Sequence, residues 1–136
     1  MTTIAERVRR VRGRASGHLH SLPILALVVH GACNCRCVMC DIWKANAEAR
    51  ELPADALDAH AEALARLRVR RVMLTGGEPL LHRNLWALCD RLRARDIAIT
   101  LVTTGLLAGR DASEIARRID TVVVSVDGPP AMHTTR

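Results

Sequence analysis

The stretch Val69-Arg70-Arg71-Val72-Met73-Leu74-Thr75-Gly76-Gly77-Glu78-Pro79 carries most of the information about the fold. An apolar, β-rich run, Val69 to Leu74, stops at a turn holding two glycines and a proline. Leu85, Leu88, Cys89 and Leu92 then recur at helical spacing. The unit reads as strand, turn, helix, and the same unit repeats on both sides. Upstream, Ile24 to His30 is an apolar run, and Pro53 suits the first turn of a helix along which Leu57, Ala61, Leu64 and Leu67 recur. Downstream, Ile97 to Val102 ends at Thr103-Thr104-Gly105. Asp111 with Glu114 resembles a capping box opening a helix around Ile115 and Ile119. Thr121 to Val126 then ends at Asp127-Gly128-Pro129-Pro130. Strands alternating with helices imply an α/β fold with a parallel sheet and right-handed crossovers. In such folds ligands bind beyond the carboxyl ends of the strands, where the loop after residue 30, the GGEP turn, the TTG turn and the DGPP turn converge.

Composition narrows the classes. The 136 residues suffice for one domain, and half of them are hydrophobic, which argues against disorder. Tyr and Phe are absent and Trp43 and Trp86 are the two tryptophans, so a stacking platform for single-stranded nucleic acid is excluded. No apolar run approaches the ~20 residues needed to span a bilayer. The basic start, the run Leu22–Val29 and Cys33 superficially resemble an export signal. Pro23, His30 and the cysteines that follow at once argue against one. Net charge is +6, and residues 1–14 hold five arginines against Glu6. Residues 1–21 are therefore expected to be a basic, solvated and frayed arm ahead of a core spanning 22–136. The run Arg66, Arg68, Arg70 and Arg71 is expected to be a solvated helix end. No nucleic acid or membrane partner is expected, and the cytoplasm is the expected location.

The densest chemical signal is Cys33, Cys35, Cys37 and Cys40 within eight residues, directly after the first strand. Such close neighbours make poor disulfide partners, and metal binding is the better class. Zinc sites usually show two separated pairs, and here there is one cluster. A short loop can instead bring three thiolates onto three corners of an iron–sulfur cube. A zinc-binding module using all four of these cysteines stays open as an alternative. Cys89 lies on the apolar face of its helix and is expected in the core.

The spacing Cys33-x3-Cys37-x2-Cys40, placed after the first strand, with Gly76-Gly77-Glu78-Pro79 after the second, resembles the radical S-adenosylmethionine (SAM) superfamily. The TTG turn and Ser125-Val126-Asp127-Gly128 extend the likeness over roughly residues 24–136. The segment from Cys33 to Trp43 looks like the subgroup acting on peptides and other natural-product precursors. The resemblance implies a parallel (βα) partial barrel in which Cys33, Cys37 and Cys40 bind a [4Fe–4S] cluster. SAM would occupy the fourth iron, touching Met39, Gly76, Gly77, Glu78, Pro79, Thr104, Ser125 and Asp127. It implies reductive cleavage of SAM to a 5′-deoxyadenosyl radical that takes hydrogen from a small-molecule or peptide substrate, with an electron donor as partner. No further catalytic residue is assigned. Cys35 stands where the family usually has an aliphatic residue and is taken as a bystander. Met39 stands where an aromatic is common, and Thr104 where related enzymes often have Asn. Glu78 is expected to shape its loop and also touch SAM. A valine at Gly77 is expected to block SAM while leaving the cluster. The family core has six strand–helix units, and four strands are found here. The sequence is therefore expected to be a fragment, a truncated product or one part of a split enzyme, with a downstream polypeptide completing the barrel. A catalytically inactive iron–sulfur protein is the remaining alternative. The fourth strand is expected to be a bare edge.

Overall fold

The computed structural model describes residues 3–133. Four parallel strands form one sheet in the order β1-β2-β3-β4, with β1 at Ile24–His30, β2 at Arg71–Gly76, β3 at Ala98–Thr103 and β4 at Thr121–Val124. Helix α1 (Ile4–Ser16) precedes the sheet. Helices α2 (Ala56–Ala59) and α3 (Ala61–Arg66) lie in the first crossover, α4 (Leu85–Arg93) in the second and α5 (Ala112–Arg118) in the third; α6 (Pro130–His133) follows β4. A parallel pairing needs such crossovers because a tight hairpin can join only antiparallel neighbours.

The strand register sorts side chains into two faces. Leu25 pairs with Val72, which pairs with Ile99; Leu27 pairs with Leu74, which pairs with Leu101. This row packs against Leu57, Leu64, Leu85, Leu88, Cys89 and Leu92 from the helices and forms the core. Full burial of each such side chain is worth about 1.5–3 kcal/mol. Ile24, Val28 and Val123, on the other face, are exposed.

Several elements depart from their expected form. Strands β2 and β3 run one to two residues further than their apolar runs, because Thr75, Gly76 and Thr103 continue the backbone ladder. The helix expected from Leu57 to Leu67 is broken at His60, whose backbone leaves the helical region. Asp111 stands at the N-cap of α5 without capping it: Arg110 takes its carboxylate, and Arg117 and Arg118 take Glu114. The expected capping box is not formed, since charge pairing outcompetes it. The basic arm contains a capped helix. Thr3 and Glu6 close a capping box at its start, and Gly17, at φ 68°, ends it in the left-handed region. Arg71 is not a solvated helix end: it crosses the sheet and donates to Thr100 Oγ1 and Thr121 Oγ1. Cys89 is fully buried, and that burial pushes its thiol up to about 12. Every residue of β4 is exposed, and among the described residues no strand pairs with its outer edge.

Candidate functional site

The cysteine loop opens at the end of β1 and returns beside it. Gly31 N–H donates to Arg50 O at 2.9 Å and Leu52 N–H to Val29 O at 2.8 Å, around an antiparallel bridge between His30 and Glu51. These bonds form a neck that closes residues 31–50 into one loop. Inside it, Asn46 clamps the first cysteine: Cys33 N–H donates to Asn46 Oδ1 at 3.0 Å, and Asn46 Nδ2 donates to Cys33 O at 2.8 Å. A turn bond from Cys40 N–H to Cys37 O (3.1 Å) folds the second half. The charged ends of Arg36 and Lys44 come to 5.6 and 5.8 Å from the Trp43 ring centre.

The GGEP turn locks onto this loop by backbone. Gly77 N–H donates to His30 O and Glu78 N–H to Ala32 O, both at 2.8 Å, extending the β1–β2 ladder beyond its strands. Gly76, at φ 142°, has a backbone conformation open to glycine. A Cβ on Gly77 would run into the carbonyl of Ala32 and the amide of Cys33. The glycine is therefore required by the cysteine loop itself. The expectation that a valine there spares the cluster is corrected, because that side chain would displace Cys33.

Glu78 is fully buried and works as a brace. Its Oε1 accepts from Leu80 N–H (3.0 Å) and Thr103 Oγ1 (2.8 Å); its Oε2 accepts from Thr104 N–H and Thr104 Oγ1, both at 2.8 Å. These four donors fill the roughly four acceptor positions a carboxylate offers. They tie the end of β2 to the end of β3 and occupy both polar groups of Thr104. Pro79 is buried at the start of a short 3-10 turn, Pro79–Leu81, whose last-but-one carbonyl, Leu80 O, accepts from Arg110 at 2.6 Å. Ser125 and Asp127 lie just past β4, half-buried, with Ser125 N–H donating to Thr103 O. Met39 is 68% exposed on the cysteine loop.

The four loop cysteines are half-buried and outside any disulfide. Among the described residues no three Cys, His, Asp or Glu side chains are gathered into a ready metal-binding group. The donor chemistry nevertheless suits an iron–sulfur cluster: thiols outside any disulfide on one anchored loop, with the first of them held at both backbone atoms. Ligand binding would draw the remaining thiols in, as metal sites commonly couple to local folding.

Beneath the neck, His30 is buried, with Nδ1 3.5 Å from Glu51 Oε1 and its ring edge-on to His82. Burial holds its pKa below the ordinary imidazole value, against the opposing pull of Glu51. Burial would raise Glu51, but the Arg83 backbone N–H, the Arg83 guanidinium and the two imidazoles outweigh it and hold its carboxyl low. His82 accepts from Asn84 N–H at Nδ1, leaving Nε2 to donate to Leu52 O at 2.8 Å. Asn46, Glu51, His82 and Arg110 carry no motif of their own, and sequence reasoning passed over them; Thr103 was read only as part of the TTG turn. The one usable signal was a polar side chain facing backbone within a loop, which composition alone does not reveal.

The sequence profile of the Radical SAM superfamily matches residues 27–134. The chain belongs to the radical SAM superfamily. Members of this superfamily use a [4Fe–4S] cluster and SAM. Among curated relatives, a 7-carboxy-7-deazaguanine synthase of Halobacterium salinarum is 35% identical over 99 residues, covering 73% of this chain and 38% of its own. A GTP 3′,8-cyclase of Xanthomonas campestris pv. campestris is 36% identical over 115 residues, covering 76% of this chain and 33% of its own. The chain thus spans about a third of the length of these radical SAM relatives. In three dimensions it is similar to Streptococcus suis SuiB bound to S-adenosylmethionine, with a TM-score of 0.72 and 19% identity over 96% of this chain and 31% of that one. SuiB has also been solved bound to its precursor peptide SuiA, where the match has a TM-score of 0.72 and 20% identity over 96% of this chain and 30% of that one. The fold is that of the radical SAM α/β proteins, with the four strands and their crossovers in place. Among the described residues no helix is long and apolar enough to cross a membrane.

Proposed function

We propose that this chain carries the cluster- and SAM-binding part of a radical SAM enzyme acting on a small-molecule or peptide substrate. The observation that carries it is the backbone lock between two motifs far apart in sequence: Glu78 N–H on Ala32 O, with Gly77 against Cys33. The two turns are joined by backbone at one end of adjacent strands, which puts the cysteines and the side-chain-free glycine turn beside a common place for a ligand. Cys33, Cys37 and Cys40 would hold the cluster. When bound with SAM, the cluster supplies the electron that releases methionine and a 5′-deoxyadenosyl radical. The chain's own residues bind, orient and exclude water. The GG turn offers a side-chain-free approach for SAM. Met39, polarisable and exposed, suits contact with its adenine. Ser125 and Asp127 face the same rim and suit its polar groups. Pro79 fixes the turn, while Glu78 and Thr104 act from behind it, since their polar groups are already engaged with each other. Residues 1–21 form a leading arm and residues 22–136 belong to the core domain. An electron donor, a downstream polypeptide completing the barrel and a cytoplasmic setting complete the reading. The likeness to SuiB supports a peptide as one substrate class.

The test is anaerobic reconstitution with iron and sulfide, followed by reduction with dithionite in the presence of SAM. About four irons per chain, iron–sulfur absorbance and formation of methionine with 5′-deoxyadenosine are expected. A cluster without SAM cleavage would favour an inactive iron–sulfur protein. Stoichiometric zinc with no such absorbance would overturn the reading in favour of the four-cysteine zinc module.

A further inference from the structure

At the opposite edge of the sheet, where the strands begin, α1 and the lead-in to β2 face each other across a cavity of about 710 Å³. This lies within the ~300–1,000 Å³ range of small-molecule sites. Arg9 and Arg14 line it from α1, and Arg68 and Arg70 from the other wall. Glu6 is the one acidic residue lining it, 4.0 Å from Arg70. Four guanidiniums against one carboxylate leave the cavity strongly cationic. Arg9 Nε is screened from solvent and meets no acceptor among the described residues, so a donor that should be satisfied waits for a partner. An adjoining cavity of about 530 Å³ shares Arg9 and Arg68 and adds Arg12 and Arg66.

We propose that this cleft binds a polyphosphate-bearing small molecule, the nucleoside di- and triphosphates being the class that fits. Guanidinium forks match phosphate oxygens in bidentate geometry, and convergence from two walls suits a compact, highly charged group better than scattered carboxylates. The lining has no Trp, Tyr or Phe to stack successive bases, which argues against a single-stranded nucleic acid. The cysteine loop opens at the far end of β1, a seven-residue strand about 20 Å long. The ligand held here is therefore a different molecule from the one that would meet SAM.

Arg68 offers a clean test. It sits just past α3 at φ 56°, in the left-handed region that favours glycine. Arg68→Gly therefore removes a cavity guanidinium while relaxing the backbone. Calorimetric titration of the full chain with sodium tripolyphosphate, and then ATP, at about 0.15 M salt should show one site that SAM does not displace. Arg68→Gly and Arg14→Ala should each weaken tripolyphosphate at least tenfold, with the Tm of Arg68→Gly unchanged or raised. Arg117→Ala, on α5, should leave binding as it is. Absence of tripolyphosphate binding, affinity unchanged in Arg68→Gly, or displacement by SAM would overturn the proposal. So would at least tenfold tighter binding of a short oligouridylate or a poly-glutamate peptide, since either identifies an open polyanion groove instead. None of these readouts depends on the cluster, so the proposal and the enzymatic reading fail separately.

Discussion

Two halves of one rim are built on opposite plans. The GGEP side is finished: Glu78 is buried with four donors on its carboxylate, and the ends of β2 and β3 are fixed to each other through it. The cysteine side is anchored but incomplete: a neck, a clamp at Cys33, and thiols that are half-buried without being gathered. With the proposed cluster in place, the rigid wall would supply the order where geometry must be exact, and the loop would supply the adaptability where metal bonds complete the site.

Breaking the finished half should have the largest effect. Glu78→Ala strands the Leu80 and Thr104 amides and two threonine hydroxyls in or near the core. Each buried orphan costs about 1–3 kcal/mol, so with four of them a loss of about 4 kcal/mol or more is expected. Chemical denaturation would measure it; a change under about 1 kcal/mol would show that water replaces the carboxylate. Gly77→Ala comes next. It should cost about 1–3 kcal/mol as overpacking and also lower iron incorporation, because the added methyl meets the backbone of Cys33. Normal iron content in this variant would separate the two halves. In the cysteine half, Cys33→Ala, Cys37→Ala and Cys40→Ala should each abolish the cluster absorbance with little change in apo-protein stability. Cys35→Ala should leave about four irons; loss of the cluster there would move the ligand set. Asn46→Ala should cost about 1 kcal/mol and slow reconstitution.

The smallest effect concerns pH. His30 has a lowered pKa in the folded chain, so the unfolded chain binds the extra proton first. Stability from this group is complete above the unfolded imidazole pKa, about 6.5, and is lost as pH falls from there through the folded value. Glu51, also lowered, adds a loss of the same sign in the more acidic carboxylate range. The Tm should therefore fall on acidification below about 6.5, and His30→Asn should flatten that first slope. A Tm that rises between about pH 7 and 5.5 would contradict the assignment.

The parallel order, the rim and the cysteine motif were legible because each rests on local signals: apolar runs, glycine turns and a fixed thiol spacing. β1 was readable to the residue because Ile24 and His30 are flanked by Pro23 and Gly31, which end the run at both sides. Illegible were the pairings made across sequence. Nothing near Glu78 says that its donors lie 25 and 26 residues on, at Thr103 and Thr104. Nothing near Asn46 says that it will clamp Cys33. Asp111 and Glu114 misled because a capping pattern is local, whereas the arginines that claim them compete through charge. The exposed edge at β4 was foreseen from counting strands. Val123→Lys on that edge should reduce self-association of the chain in sedimentation, as charges do on open sheet edges.

Cys89 gives the experimenter a built-in reference. With its thiol pushed up to about 12 and its side chain sealed beneath α4, it stays silent toward alkylating reagents at neutral pH while the loop thiols react. Mass spectrometry of the native chain should then count four labels and the denatured chain five. Each label missing from the native count is a thiol taken up by metal or by oxidation, so the state of the loop can be read without any spectroscopy of iron. The same asymmetry directs damage in air: sulfur chemistry will run among Cys33, Cys35, Cys37 and Cys40 and leave the interior of the sheet untouched.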